Sequence, residues 1–183
     1  MKHKINKFVI AKNEEDWHAI RGKGLGGSDV GTVLGLNPYK SAFELWEEKT
    51  AKTPPKDLSD NLAVQVGHAM EDFVAKQFSK ATGLQVIRDN KTYIHEQYDY
   101  LLANIDRRIV GQRAFLECKT TSVYNAKQWD GDNVPDSYLL QVQHYLNVLD
   151  YDVAYIAVLI GNTQFKYKKI ERDRKSACYV ISR

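Results

Sequence analysis

The sequence predicts an α/β (α+β) chain with a mixed central β-sheet flanked by helices, and three observations predict it. Helical periodicity and capping signals dominate residues 13–82. A series of short strand-like segments separated by turns follows, from Leu84 to Thr121. One further helical segment then leads into Ala154–Ile160, an almost unbroken apolar run of the buried-strand type. Helices, then a β meander, then a helix and a buried strand is the order expected when helices cover a sheet.

Taken in order, Asn13 can cap a first helix, with Asp16 three residues on, and that helix should reach about Arg21. A glycine-rich turn, Gly22 to Gly27, follows, and Ser28 is expected to cap a short helix through Leu34. A third helix, from about Ser41 to Lys49, holds Phe43, Leu45 and Trp46. The stretch TPPKDLSDN around Pro54 and Pro55 is short, so it reads as a surface loop, and residues 1–183 are expected to form a single domain. Asn61 to about Thr82 should be a long helix, because Leu62, Val66, Met70, Phe73 and Val74 recur at helical spacing and Gly83 is a natural stop. Strands are expected at Leu84–Arg88, Thr92–Glu96, Leu101–Arg108 and Arg113–Thr121. Pro135 introduces a helix over roughly Asp136–Leu149, with Leu139, Leu140, Val142, Tyr145, Leu146 and Leu149 as its apolar set. Gln164–Ile170 alternates and suits an edge strand.

Composition excludes several classes. Hydrophobic residues at 43% and charged residues at 27% are ordinary for a soluble globular domain. No apolar run is long enough to span a membrane. The start, MKHKINKFVI, is basic without the apolar core of a secretory signal, so a cytoplasmic location is expected. Cys118 and Cys178 make neither a disulfide framework nor a zinc spacing. The net charge is +3, but residues 166–183 carry seven Lys/Arg against Glu171 and Asp173, leaving −2 elsewhere. Such a tail can track phosphates or form a solvated edge.

The most chemically loaded stretch is LLANIDRRIVGQRAFLECKTT, Leu101 to Thr121. Residues two apart on a strand share a face, so Glu117 and Lys119 lie together while Leu116 and Cys118 face the other way. If the flanking strands are antiparallel neighbours, Asp106 joins Glu117 and Lys119. Two carboxylates can hold a divalent metal, and an ammonium beside them can position or activate water for phosphodiester cleavage. A solvated sheet face explains the same residues.

Three further sets stand beside it. RGKGLGGSDV matches GxGxxG literally, but a helix precedes it, which argues against a dinucleotide site, and no Gly-Lys-Ser/Thr closes a phosphate loop. Arg21, free backbone N–H groups and the Ser28 hydroxyl can instead receive an anion; a plain glycine turn with a serine cap is the alternative. Glu71 sits one turn after Gly67 on the long helix, as a site carboxylate or a solvated glutamate, and His68 beside it has no second histidine at ligand spacing. In QVQHY, Gln141 and Tyr145 share a helix face and Gln143 points elsewhere; an amide there can hold a water or a phosphate oxygen, or sit on the rim of an amphipathic helix.

GLGGSDVGTVLGLNPYKSAFELWEEKT, VGHAMEDFVAKQF, LLANIDRRIV with FLECKTT, and LLQVQHYLNVLDYDVAYIAVLIG occur in that order. The set resembles the YqaJ-type phage recombination exonucleases, relatives of lambda exonuclease and of RecB-type nucleases, from about Arg21 to Ile170. The Gly-Gly-Ser-Asp, Asn-Pro-Tyr-Lys-Ser and Glu-Leu-Trp segments carry most of the specificity. The resemblance implies a restriction-endonuclease-like, PD-(D/E)xK core and a Mg²⁺- or Mn²⁺-dependent exonuclease that digests one strand of double-stranded DNA from its 5′ end. It implies Asp106, Glu117 and the Cys118 backbone carbonyl as metal ligands and Lys119 as the catalytic lysine. Glu71 becomes the supporting helix carboxylate, Arg21 and Ser28 the 5′-phosphate pocket, and Gln141, or Gln143 in lambda-type members, the site amide. It further implies a single-strand annealing protein as partner, a ring of three subunits, and a helical tail past the last strand, for which IERDRKSACYVISR shows no amphipathic pattern. An endonuclease or resolvase on the same fold, or a catalytically idle DNA-end-binding module, are the competing readings.

Overall fold

A computed structural model describes residues 6–37, 39–50 and 60–174. The loop at Pro54 and Pro55 and the end of the basic C-terminal run lie outside the described residues. The element order is β1 (Phe8–Ile10), α1 (Glu14–Gly22), α2 (Gly27–Val33), α3 (Ala42–Thr50), α4 (Leu62–Thr82), β2 (Val86–Arg88), β3 (Lys91–Ile94), β4 (Leu102–Ala103), β5 (Arg107–Ile109) and β6 (Ala114–Thr121). A 3-10 segment (Val123–Trp129), α5 (Asp136–Leu149), β7 (Val153–Ile160) and β8 (Gln164–Glu171) complete it.

The expected mixed sheet has five strands in the order β2-β5-β6-β7-β8. Its pairs are antiparallel except β6 with β7, which run parallel because α5 carries the chain back across the sheet. A second, antiparallel sheet, β1-β3-β4, stands apart from it. Strand alternation divides the core in two. Phe115, Ala154, Ile156, Val158 and Ile160 pack under Val142, Tyr145, Leu146 and Leu149 of α5. Leu116, Cys118, Ala157 and Leu159 pack under Val74, Ala75 and Phe78 of α4. β7 is covered on both faces, which is why its sequence is continuously apolar rather than alternating.

The capping signals act as expected at α1, where Asn13 Oδ1 accepts from Asp16 N–H at 2.8 Å, and at the end of α4, where Gly83 takes the left-handed conformation, φ 73°; Asn61, read from the sequence as the first residue of that helix, is instead its cap. Ser28 does not cap α2. Gly26 is the cap residue, and Asp29 Oδ2 reaches back to the Gly26 N–H at 2.9 Å, which frees the Ser28 hydroxyl. Leu101–Arg108 is not one strand. It splits into β4 and β5, which belong to different sheets, because the residues between them use side chains in place of ladder bonds. Asn104 Nδ2 donates to Thr92 Oγ1 at 2.7 Å, and the Asp106 carboxylate accepts from Cys118 N–H at 2.7 Å. β1 and the 3-10 segment carry no sequence signal strong enough to predict them. Among the described residues no helix is long and apolar enough to cross a membrane.

Phe78 is fully buried in the α4 layer, in ring contact with Tyr155 and Tyr167. Phe78→Ala should therefore cost about 3–5 kcal/mol of unfolding free energy by urea titration. A loss near zero would contradict this account of the layer.

Candidate active centre

β6 builds the centre by alternation alone. Leu116 and Cys118 turn into the α4 layer, so Glu117 and Lys119 turn towards α5. β5 begins opposite Leu116, since its first residue, Arg107, is the partner in register. The chain before it bends at Asp106, whose Oδ2 takes the Cys118 N–H that a longer β5 would have occupied. In an extended strand a residue's N–H and C=O leave from the same edge, so the Cys118 carbonyl also opens on the Asp106 side.

α5 closes the group from above. Gln141 Nε2 donates to Glu117 Oε1 at 2.6 Å, and Lys119 Nζ donates to the same Glu117 oxygen at 2.9 Å and to Gln141 Oε1 at 3.0 Å. Tyr145 Oη lies 3.3 Å from Gln141 Nε2. The ammonium of Lys119 also sits 4.9 Å from the Tyr138 ring centre. The structure thus brings Gln141 to this point and not Gln143, which bonds the Glu171 carbonyl and the Asp173 N–H on the far side of the helix.

The electrostatics are strained in one direction. Burial, then the neighbouring charge of Glu117, hold Asp106 well above the usual carboxylate range. Burial raises Glu117 too, against the lowering pull of Lys119. Burial would lower Lys119, but Glu117 and Asp106 outweigh it, so the lysine is raised and stays an ammonium. One ammonium faces two carboxylates, and Glu117 Oε2 is buried without a hydrogen-bond partner among the described residues. A divalent cation suits this donor set, because hard oxygen ligands and excess negative charge are what Mg²⁺ or Mn²⁺ require. Asp106, Glu117 and the Cys118 carbonyl are the groups that could hold it. Among the described residues no three His, Cys, Asp or Glu side chains converge on one point.

Glu71 takes a different place from the other carboxylates. It projects from α4 with its Oε2 3.4 Å from Arg107 Nη1 and its Oε1 3.3 Å from His68 Nδ1. Its charge still acts on Asp106 and Glu117. Arg107 is the residue that sequence reasoning missed. Its side chain is only 4% exposed, and it donates to Asp72 at 2.5 Å and to the Asp106 carbonyl at 2.7 Å. It therefore pins the backbone of Asp106 to α4. Its only sequence signal was adjacency to the candidate ligand.

Arg21 and Ser28 also meet. Arg21 Nη2 donates to Ser28 Oγ at 2.7 Å while its guanidinium stacks 4.9 Å over Trp17. Lys49 ties the same corner together through Asp29 at 3.0 Å and the Arg21 carbonyl at 3.1 Å. This corner is pressed onto the centre at Gly27, where a Cβ would stand 2.6 Å from the Tyr145 ring and 2.7 Å from Gln141 Cγ. Only glycine allows α2 to approach α5 so closely. Gly24 serves the same end, since a Cβ there would run into the Tyr100 carbonyl, and Leu25 bonds that carbonyl and Leu102 on either side.

Residues 16–152 match the family model of the YqaJ-like viral recombinase domain. The chain is 49% identical over 171 residues to the protein YqaJ of Bacillus subtilis (strain 168), covering 90% of this chain and 53% of that protein, so it spans about half the length of that relative. In three dimensions it is similar to the alkaline exonuclease LHK-Exo of Laribacter hongkongensis, with a TM-score of 0.76 at 17% identity over 92% of this chain and 87% of the other. A phage-related exonuclease from Haemophilus somnus aligns with a TM-score of 0.64 at 12% identity, over 86% of this chain and 88% of that one. At such identities the likeness is one of fold, and the fold is restriction-endonuclease-like.

The raised carboxylates make a pH-dependent prediction. Folded Asp106 and Glu117 hold protons to higher pH than the unfolded chain does. Stability of the cation-free protein should therefore fall as pH rises from the ordinary carboxylate range through the raised values. Lys119, raised from an already high value, loses its contribution only in the alkaline range. Mn²⁺ or Mg²⁺ competes with those protons, so the gain in Tm should be larger near about pH 8 than near about pH 5. At a hundredfold excess over Kd it should reach about 5–10 °C. Asp106→Asn should abolish the gain; an equal gain at both pH values, or in the variant, would contradict the site.

Proposed function

Since the chain belongs to the family of YqaJ-like viral recombinase domains, we propose that it is a divalent-metal-dependent nuclease. It digests one strand of linear double-stranded DNA from the 5′ end, as a step in phage-type recombination. The observation that carries this reading is the half-buried Asp106 beside the buried Glu117, with Lys119 hydrogen-bonded to both Glu117 and Gln141. Residues 1–183 act on this reading as one nuclease domain.

Asp106, Glu117 and the Cys118 carbonyl would hold the cation. When bound, such an ion polarises the phosphate and acidifies a water molecule. Lys119 remains charged and stands where negative charge develops on the attacked phosphate, an interaction strongest in the transition state. Gln141 keeps Lys119 and Glu117 in register from the far side, so neither has to reorganise as charge builds. Glu71 and Arg107 anchor the bend that presents Asp106. Arg21 and Ser28 receive the terminal 5′-phosphate, with the guanidinium as a charge-assisted donor. Contacts to phosphate and not to base edges imply cleavage with little sequence preference.

The test is digestion of a linear duplex labelled at the 5′ or the 3′ end, with Mg²⁺ and with EDTA, beside a covalently closed circle. Mg²⁺-dependent release of 5′ label with the circle intact is the expected result. Cleavage of the circle would favour an endonuclease or resolvase, and binding of ends without digestion an idle module. Lys119→Ala should slow digestion by at least about a hundredfold while preserving duplex binding in EDTA. Arg21→Ala should lose about 10- to 100-fold on 5′-phosphorylated ends and little on 5′-hydroxyl ends. Equal losses on both ends would remove Arg21 from the phosphate pocket.

A further inference from the structure

The carboxyl end of β6 carries a second set of groups suited to nucleic acid. The 3-10 segment that follows Lys119 is held firmly to the sheet. Asn125 Nδ2 donates to Thr121 Oγ1 at 3.0 Å, and Gly161 N–H donates to the Thr121 carbonyl at 2.7 Å. Val123 lies over Gly161, whose φ is +57° and where an added Cβ would stand 2.8 Å from Val123 Cγ1. On this fixed platform Tyr124 is 93% exposed, five residues beyond Lys119. Single exposed aromatics need no explanation; what surrounds this one does.

Sheet register supplies the surroundings. Lys119 pairs with Val158, which pairs with Lys166; Glu117 pairs with Ile156, which pairs with Lys168. Paired residues share a face, so Lys166 and Lys168 stand on the face of the centre, two strands or about 10 Å across. Lys166 bonds Asp130 Oδ1 at 2.9 Å and the Trp129 carbonyl at 3.4 Å, which ties the far end of the 3-10 segment to β8. Lys127 and Lys168 also act on the Asp130 carboxylate, so three ammonium groups gather about one acid. Packing runs without a break from the centre to this edge. Lys119 meets Tyr138, and the Tyr138 ring lies tilted against Trp129, 5.8 Å between centres, at the end of the segment.

We propose that this edge is a binding track for single-stranded DNA, in which Tyr124 stacks on an unpaired base while Lys127 and Lys168 take flanking phosphates. An exposed ring on a rigid turn can stack on any base, and lysines beside it follow the backbone without reading sequence. The inference rests on the nuclease reading, and it assigns to the edge the strand that the centre leaves undigested. Placed here, the track keeps that strand from pairing again beside Lys119.

The experiment is fluorescence anisotropy in EDTA with a labelled single-stranded oligonucleotide and a labelled blunt duplex, across a salt series. Tyr124→Ala should weaken single-strand binding about 5- to 100-fold and blunt-duplex binding much less, and Tyr124→Phe should bind within about twofold of the unsubstituted protein. Lys127→Ala with Lys168→Ala should lower the slope of log K against log salt by about 1–2. Single-strand binding by Tyr124→Ala equal to the unsubstituted protein would overturn the track and leave the nuclease reading standing. Failure of the unsubstituted protein to bind either DNA would overturn both.

Discussion

Two carboxylates held together, Glu117 buried and Asp106 half-buried, are the constraint to which the rest of this structure answers. Glu117 is 2% exposed, and Asp106 is bound to the backbone of the same strand. Each raises the other's cost of ionisation. Such a pair persists only where surrounding groups hold it in place, and the surrounding groups come from every major layer. Lys119 arises from the same strand, Gln141 from α5, and the Glu71–Arg107 pair joins α4 to β5. One oxygen, Glu117 Oε2, still has no hydrogen-bond partner among the described residues. In a packed interior such an oxygen costs free energy for as long as nothing satisfies it.

The fold reaches this arrangement by splitting β6 between two environments. One face supplies Leu116 and Cys118 to the α4 core, so the strand is anchored by burial. The other face can then spend Glu117 and Lys119 on polar contacts, because Phe115 and the β7 residues already seal the α5 side. Cys118 has a dual position for the same reason. Its thiol is pushed up by burial and faces the core, while its backbone opens on Asp106. The parallel β6·β7 pair is part of the same logic, since parallel strands need a long crossover, here α5, and that helix carries Gln141 and Tyr145 over the strand.

The glycine-rich corner is bound to the centre by contact rather than by chemistry. Gly27 lets α2 touch Tyr145 and Gln141, and Gly24 lets the preceding loop lie against Tyr100. Movement of the Arg21–Ser28 corner would therefore be felt at the amide that positions Lys119. His144, one residue from Tyr145 on α5, bonds the Leu102 carbonyl at 2.9 Å and is kept towards its neutral form by burial. It fastens α5 to the smaller sheet without adding a charge next to the centre.

Much of this was determined by sequence alone, through local physics. Period-two alternation places Glu117 and Lys119 on one face of a strand, helical spacing places Gln141 with Tyr145, and Asn13, Asn61 and Gly83 mark helix ends by their own side chains or lack of one. Those rules act within a few residues, so they can be read from a few residues. Tertiary structure decided the rest. Asp106 reaches Glu117 not from the face of one long strand but from a bend between two sheets, made by side-chain bonds to Thr92 and Cys118 that no local pattern announces. Ser28 is freed from capping by Asp29. Gln141 is separated from Gln143 only by which side of α5 meets β6. Arg107, the least legible of all, owes its place to acids that lie 35 and 36 residues earlier in the chain. Burial and long-range pairing set these positions, and both exist only once the layers have closed.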